Sequence, residues 1–285
     1  MKIAIIGRTE ILYNTIQILL QAGHSITCII TNKEAPEYTK TAAEFEKLAF
    51  ELSVPFACTV HIKSMMPMLK ASESDIGISF NYAAIIPKEV TDIFRLGILN
   101  AHGGDLPRYR GNACQAWAIL NGEDKIGLCI HRMIGGELDS GDIIARDYLM
   151  IDHRTKVTEA WEWLAQRIPD LFLRSVNQLS YDASYILEIQ SKNPQDAYRC
   201  YPRKPEDGRI DWQQSALKVL RLINASNKPY AGAFCDYEGQ QFIIWDAELV
   251  EEFENFCAVP GQITKIGDGT VEVACGAGKL RILSA

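Results

Sequence analysis

The chain has 285 residues, of which 47% are hydrophobic and 23% are charged, so it is long enough to bury a core and is not a disordered chain. Its net charge of −7 argues against partners that are themselves polyanions, namely nucleic acids and anionic membrane surfaces. The N-terminal apolar run meets a charge at Arg8, which makes it too short for a signal peptide or a membrane span. We therefore expect a cytoplasmic protein without a membrane partner.

The eight cysteines are spread along the chain, and no two lie closer than fifteen positions. No C-x-x-C pair is present, so the spacing does not suggest a structural zinc site. Several cysteines lie inside apolar runs, as in SITCII and IGLCIH, where a thiol behaves as a small hydrophobic side chain. We predict reduced, structural cysteines.

The first hundred residues alternate between predicted strands and predicted helices. The predicted strands are KIAIIG, SITCIITN, VPFACTV, DIGISFNY and GILNAH, and the predicted helices are TEILYNTIQILLQAG, KTAAEFEKLAFEL, SMMPMLKAS and PKEVTDIFR. This order predicts an α/β fold with a Rossmann-like, mostly parallel sheet and helices on both faces. The first strand-helix turn, IIGRTEI, has only Gly7 of the G-x-G-x-x-G pattern, which disfavours a nicotinamide or flavin cofactor.

The pattern changes after Lys125. KIGLCIHRMI and GDIIARDYLMI predict a hairpin at the sheet edge, and the following segment, KVTEAWEWLAQRIPDLFLRSVNQLS, predicts a helix kinked or split at Pro169. SKNPQDAYRCYPRKPEDGR is polar and proline-rich, as linkers are. After the predicted helix QQSALKVLRLINA come five short predicted strands, AFCDYEG, QFIIWDAEL, GQITKIGDG, TVEVACG and KLRILS. We predict a main domain over 1–190, a linker over 191–206 and a small C-terminal β-barrel, OB-like, over 207–285.

The segment LNAHGGDLPRYRGNACQAW combines residue types that suit catalysis. Asn100 and His102 are two positions apart at the end of a predicted strand, so their side chains share one face of the sheet. Gly103 and Gly104 allow the backbone to approach a ligand closely. An amide, an imidazole and a glycine-rich loop can together stabilise an oxyanion and move a proton.

A second cluster, GGELDSGDI, supplies carboxylates. Asp139 or Asp142 could orient and polarise His102, although both residues are also common in turns, and their spacing does not choose between them. A metal-dependent hydrolase using His102, Asp105, Asp139 and Asp142 is an alternative. Because H-x-x-D is a weak pattern and no second histidine is near in sequence, we predict no metal.

Asn100-x-His102, LPRYRG and ELDSGD, in this order, resemble the folate-dependent formyltransferases, and the resemblance covers nearly the whole chain. That family includes glycinamide ribonucleotide transformylase, methionyl-tRNA formyltransferase and sugar formyltransferases. The formyltransferase domain of the bifunctional polymyxin-resistance enzyme is one of the last group. The resemblance implies an N-formyltransferase that uses 10-formyltetrahydrofolate as co-substrate, with Asn100, His102 and Asp139 as catalytic residues, and it excludes Asp142 from that set.

The resemblance also implies which residues bind the folate. The implied folate contacts are Ala84, Ile85, Ile86, Asn112, Ile134, Gly135, Gly136, Glu137 and Leu138. Asn112 departs from some sugar formyltransferases, which have an arginine there. The candidate contacts to the acceptor substrate are Arg8, Thr9, Tyr82, Arg108 and Arg110, and the three arginines could pair with phosphates.

The C-terminal region bears on the acceptor. Residues 201–285 contain nine Lys plus Arg and twelve Asp plus Glu, a net charge of −3 that disfavours tRNA. The stretches 203–212 and 227–234 resemble sugar formyltransferases, which implies a nucleotide-linked amino sugar for a surface polysaccharide such as lipopolysaccharide, and a homodimer. Alternatives are methionyl-tRNA formyltransferase, formylation of another small amine such as a hydroxyornithine, and a non-catalytic folate-binding relative.

Overall fold

The computed structural model describes residues 1–36, 38–250, 255–267 and 269–285. In chain order, the strands are β1 (Lys2–Gly7), β2 (Ser25–Thr31), β3 (Phe56–Cys58), β4 (Ile76–Phe80), β5 (Ile98–His102), β6 (Tyr109–Gly111), β7 (Lys125–Arg132), β8 (Ile143–Met150), β9 (Tyr198–Cys200), β10 (Ala233–Tyr237), β11 (Gln240–Ile244), β12 (Asp246–Leu249), β13 (Ile263–Gly267), β14 (Thr270–Ala274) and β15 (Lys279–Ser284). The α-helices are α1 (Glu10–Gln21), α2 (Ala42–Glu51), α3 (Met66–Ala71), α4 (Lys88–Thr91), α5 (Cys114–Asn121), α6 (Val157–Tyr181) and α7 (Ala216–Ala225). Short 3₁₀ helices span Ile62–Met65, Pro194–Asp196 and Pro205–Gly208.

A seven-stranded sheet forms the centre of the fold, in the order β3-β2-β1-β4-β5-β7-β8. The first five of these strands are parallel, β7 is antiparallel to β5, and β8 lies at the edge. Strands β1 and β4 are apolar because they lie at the middle of the sheet, where Ala4 and Ile6 pack with Leu69 of α3 and with Val90 of α4. The predicted Rossmann-like sheet is confirmed.

Helix α6 is one continuous helix that includes Pro169, so of the two outcomes expected there, a kink or a split, the split is wrong. Its apolar face explains this: Leu164, Ile168, Leu171 and Phe172 are all buried on either side of the proline. Tertiary packing of that face offsets the hydrogen bond that a proline removes from a helix.

The polar stretch predicted to be a linker contains a short strand, β9, which pairs with β6. One further expectation about the elements was wrong. The segment QFIIWDAEL is not one strand: β11 ends at Ile244, β12 begins at Asp246, and the two belong to different sheets. The break lies at Trp245, whose N–H donates to the carbonyl oxygen of Ser284. Composition alone does not show where a strand changes its partner.

The chain divides into two compact units whose sequence ranges alternate. The first comprises Met1–Gly111, Gly127–Tyr148 and Trp163–Arg199, and the second comprises Asn112–Ile126, Leu149–Glu162 and Cys200–Ala285. The second unit contains the antiparallel sheet β12-β15-β14-β13 and the hairpin β10-β11, consistent with the predicted small barrel. Val219 and Ile223 of α7 pack there with Val273 and Leu280. The domain boundaries drawn from the sequence stay a prediction.

All eight cysteines are free thiols. Burial raises the pKa of Cys28, Cys129 and Cys275 to about 11, so these three thiols stay protonated. Among the described residues, none of the helices is both long enough and apolar enough to cross a membrane.

Candidate active site

Three side chains project from two neighbouring strands of the first unit. Asn100 and His102 both lie on β5, at alternate positions, and His131 stands opposite Asn100 on the antiparallel strand β7. Asn100 Nδ2 lies 3.2 Å from His131 Nε2. The site around Asn100 and His102 therefore also contains a second histidine, His131.

Asp139 approaches both imidazoles from the loop between β7 and β8. Its Oδ2 lies 3.5 Å from His102 Nδ1, and its Oδ1 lies 3.5 Å from His131 Nε2. The Gly111 N–H donates to Asp139 Oδ2 at 2.9 Å, and the Asp139 side chain is only 12% exposed. The carboxylate is thus held between two rings and a backbone donor.

Opposing effects act on the Asp139 carboxyl group. Burial alone would raise its pKa, but the positive charge available on His102, the hydrogen bond and charge of His131, and the Gly111 N–H together hold the pKa well below its usual range. Asp139 is therefore ionised at neutral pH. It provides a fixed negative charge beside His102.

The contacts of His102 indicate which protons its ring carries. His102 Nε2 lies 2.7 Å from the Tyr109 carbonyl oxygen, which can only accept, so Nε2 carries a hydrogen. Nδ1 faces the Asp139 carboxylate, which also only accepts. A doubly protonated imidazolium satisfies both neighbours at once, so the geometry favours a cationic His102.

His131 is a site residue that sequence reasoning missed. The His131 side chain is 1% exposed, and its Nδ1 has no hydrogen-bond partner among the described residues. The sequence signal for it was one histidine at the end of the apolar run IGLCIH. Strand pairing, which brings it next to Asn100, is visible only in the fold.

The two loops expected to bind the pterin lie side by side. The Gly136 N–H donates to the Ile86 carbonyl oxygen at 2.9 Å, and a Cβ at Gly135 would lie 2.3 Å from Lys88 Cα. The side chains of Ile85 and Ile134 are exposed, by 61% and 37%. Exposed apolar side chains next to hydrogen-bonding backbone suit a flat heterocycle. Ala84 belongs to the first of these loops; Leu138 and Glu137, which accepts a hydrogen bond from Ser140, belong to the second.

Asn112, the remaining predicted folate contact, lies in the second unit. Its N–H donates to the Cys200 carbonyl oxygen at 3.1 Å, and its side chain is exposed. The hydrogen bond fixes the Asn112 backbone, and the folate contact of its side chain stays a prediction.

The candidate acceptor contacts fall into two groups. Arg8 and Thr9 follow β1, and Tyr82 follows β4, at the carboxyl ends of neighbouring parallel strands. The Arg8 guanidinium donates to the carbonyl oxygens of Asn81 and Lys33. The Tyr82 hydroxyl donates to the Thr59 carbonyl oxygen.

Arg108 and Arg110 form the other group, on either side of Tyr109. The Arg108 guanidinium lies 5.6 Å from the ring centre of Tyr109 and 5.3 Å from that of Tyr198. Arg110 donates to Gln190 Oε1 and to the Ser191 carbonyl oxygen. Each arginine is therefore oriented by its neighbours within the first unit.

The carboxylates of the metal-site alternative have other partners. Asp105 is ion-paired with Arg146, and Asp142 accepts from the Gln190 N–H at 3.1 Å. Within the described ranges, no group of three or more His, Cys, Asp or Glu residues is arranged to hold a metal ion.

Solved structures share this fold along the whole chain. WlaRD, a sugar 3N-formyl transferase solved with dTDP and 5-N-formyl-THF, is 17% identical with a TM-score of 0.73, and the match covers 100% of this chain and 97% of WlaRD. An N-formyltransferase from Helicobacter canadensis, solved with folinic acid and dTDP-3-aminofucose, is 16% identical with a TM-score of 0.73 and full coverage of both chains. HypX from Aquifex aeolicus, solved with tetrahydrofolic acid, is 19% identical with a TM-score of 0.66. That match covers 99% of this chain but only 43% of HypX.

Family models match both parts of the sequence. The model described as formyl transferase matches residues 1–174, and the one described as formyl transferase, C-terminal domain, matches residues 203–285. The first match alone covers more than half of the chain and includes Asn100, His102 and Asp139. The chain belongs to the formyl transferase family.

Proposed function

We propose that this enzyme transfers a formyl group from 10-formyltetrahydrofolate to the amine of a nucleotide-linked amino sugar used in surface polysaccharide synthesis. The observation that supports this most directly is the arrangement of Asn100, His102 and Asp139 within one site beside the paired loops of the first unit. When bound, 10-formyltetrahydrofolate supplies an activated formyl carbon for the attack of an amine.

Asn100 and His102 stabilise the negative charge that builds up on the formyl oxygen during attack. The Asn100 amide, whose Nδ2 lies 3.2 Å from His131 Nε2, is the hydrogen-bond donor to that oxygen. The cationic His102 contributes its charge, and Asp139 holds that charge in place because its carboxylate is buried and ionised. Such preorganised groups need no rearrangement as the reaction proceeds.

The attacking amine must also lose a proton. His102 Nε2 is engaged by the Tyr109 carbonyl oxygen and Nδ1 faces Asp139. A direct transfer through the ring would require one of these contacts to open. We infer that a water molecule carries the proton from the amine to the departing folate nitrogen, while His102 remains charged.

The paired loops support the choice of a folate. Exposed Ile85 and Ile134 offer apolar surface for a pterin ring, and we infer that backbone groups of the two loops meet its polar edge. A side chain at position 135 would collide with the backbone of Lys88, so glycine is what allows the two loops to pack this closely.

The acceptor assignment rests on three observations. WlaRD and the Helicobacter canadensis enzyme were solved with dTDP and with dTDP-3-aminofucose, and this chain matches almost their whole lengths. The acidic balance of the chain favours a small substrate over tRNA. Thr9 is buried with a φ of 91°, an unusual backbone conformation for a β-branched residue, and it begins α1 where phosphate groups are readily bound.

The test is to incubate the purified protein with 10-formyltetrahydrofolate and a panel of dTDP- and UDP-linked 3-amino and 4-amino sugars. We expect a gain of one formyl group on at least one sugar, detected by mass spectrometry, and no gain with His102→Asn. Calorimetry with 5-formyltetrahydrofolate should show that this variant still binds folate. Equal turnover by His102→Asn would refute the site, and transfer to none of the sugars would refute the acceptor.

A further inference from the structure

One short segment of the first unit, residues 190–192, binds the loop that carries Asp139. Gln190 Nε2 donates to the carbonyl oxygens of Asp139, at 3.0 Å, and Gly141, at 2.5 Å. Lys192 Nζ donates to the carbonyl oxygen between them, that of Ser140, at 3.1 Å. Three consecutive backbone acceptors of the loop are therefore bound by two side chains of one segment.

The loop requires such support because its backbone is unusual. Asp139 has a φ of 46°, in the left-handed region that costs energy for any residue except glycine. Two residues later, Gly141 packs so closely that a Cβ would lie 1.6 Å from the Arg132 carbonyl oxygen. The direction of the Asp139 carboxylate therefore depends on contacts that keep this tight turn in one conformation.

Gln190 is itself fixed on every side. Gln190 is only 1% exposed. Its backbone N–H donates to Asp142 Oδ1 at 3.1 Å, and its Oε1 accepts from Arg110 at 2.8 Å. Arg110 directly precedes Gly111, whose N–H donates to the Asp139 carboxylate. Gln190 thus binds the backbone of Asp139, and Gly111, which follows Arg110, binds its carboxylate.

We propose that Gln190 and Lys192 are positioning residues that fix the Asp139 carboxylate against His102 and His131. They do not touch the reacting atoms and act through the loop backbone. This inference rests on the proposed function, because it assigns the two residues to the same site. It also gives Asp142 a role as the acceptor that anchors the Gln190 backbone.

The decisive variant is Gln190→Met, which keeps the length of the side chain but removes both donors to the loop. We expect kcat for formyl transfer to fall by about 10- to 100-fold, as for other residues that orient a catalytic group, with the KM for 10-formyltetrahydrofolate within about twofold of wild type. Ser191→Ala is the matched control, because the Ser191 hydroxyl donates to Asp196 and not to the loop. Wild-type kcat in Gln190→Met would overturn the proposal.

A second measurement does not depend on turnover. In Gln190→Met a displaced Asp139 would change the surroundings of the His102 and His131 rings, so the NMR signals of both rings, recorded at one fixed pH, should differ from those of wild type. Ser191→Ala should give the wild-type ring signals. If wild type transfers no formyl group, the proposed function fails while these spectra still test the positioning role; unchanged ring signals would count against that role.

Lys192→Met covers the case in which Gln190→Met does not fold. Lys192 is exposed, so its replacement should leave the fold intact while removing the hydrogen bond to Ser140. We expect a smaller loss of kcat, by about 3- to 10-fold, with unchanged KM. A residue that only stabilised the fold would lower the melting temperature without this loss, and that result would contradict the inference.

Discussion

Asp139 combines two properties that rarely occur together: it is almost buried, and it is ionised. The two imidazoles and the Gly111 N–H compensate for the loss of water around the carboxylate. Such a group links the active site to the pH dependence of folding, since its pKa is lower in the folded protein than in the unfolded chain.

Asp139→Asn is therefore expected to change how the unfolding free energy depends on pH. The contribution of the carboxylate is fully present above the unfolded pKa of about 3.9 and is lost as the pH falls towards the lower folded value. Between pH 5 and pH 3, wild type should lose about 1 kcal/mol more unfolding free energy than Asp139→Asn. Urea unfolding at the two pH values measures this difference. Equal losses in both proteins would show that Asp139 is not stabilised as an ion.

Asn100→Ala tests the donor to the developing oxyanion. Removing one such donor should lower kcat by about 10²- to 10³-fold, equivalent to about 3–4 kcal/mol in the barrier, with little change in the affinity for folate. Steady-state kinetics together with calorimetric titration of 5-formyltetrahydrofolate separate the two effects. Parallel losses of kcat and folate binding would instead indicate a collapsed site.

At this scale the sequence was informative where residues lie close together along the chain. The Asn100-x-His102 pair and the ELDSGD segment could be recognised from motif order. The roles of His131 and Gln190 could not, because His131 reaches the site through the pairing of β5 with β7 and Gln190 through hydrogen bonds to a loop some fifty positions earlier. Neither relation leaves a local pattern.

At the scale of elements, the loops after β4 and β7 pack against each other at Gly135. Their contact explains why two segments far apart in sequence can present a single surface. The nearest atoms at this contact are backbone atoms of Lys88 and Pro87, which cannot rotate away as a side chain can.

Gly135→Ala should therefore push the loops apart and weaken folate binding by about tenfold or more, since a misplaced contact of this kind costs more than about 1.4 kcal/mol. Gly136→Ala is a suitable comparison: a Cβ there meets open space, although the φ of 85° makes the substitution strained. We expect both variants to lose some thermal stability and Gly135→Ala to lose much more affinity for 5-formyltetrahydrofolate. Equal affinities in calorimetry would contradict this account of the loops.

Sequence patterns predicted most strands and helices but not the points where tertiary packing overrides local preference. Pro169 lies inside α6 because buried neighbours hold the helix together. Strands β6 and β9 are three residues each and are stabilised by their pairing, so neither has enough residues for a periodic signal.

For the whole molecule, the net charge of the chain favours a nucleotide-linked sugar over tRNA as the acceptor. A protein that grips tRNA neutralises several phosphates, whereas this chain carries a net charge of −7. We expect no formylation of methionyl-tRNA by the wild-type enzyme under conditions in which a sugar nucleotide is formylated. Acid-gel electrophoresis of the tRNA product provides the readout, and a methionyl-tRNA formyltransferase run in parallel provides the positive control. Detectable transfer to tRNA would overturn the acceptor assignment.

The alternating ranges of the two units limit how this enzyme can be recombined with its relatives. Helix α5 packs against α7, and Asn224 Nδ2 donates to the His153 carbonyl oxygen, so residues 112–126 and 149–162 belong with the C-terminal region although they precede it by many positions. A chimera joined near residue 200 would combine the C-terminal region of a relative with residues 112–126 and 149–162 of this chain. These residues would then have to pack against a C-terminal region of different sequence. A chimera that folds as stably as either parent would require all three stretches to be transplanted together.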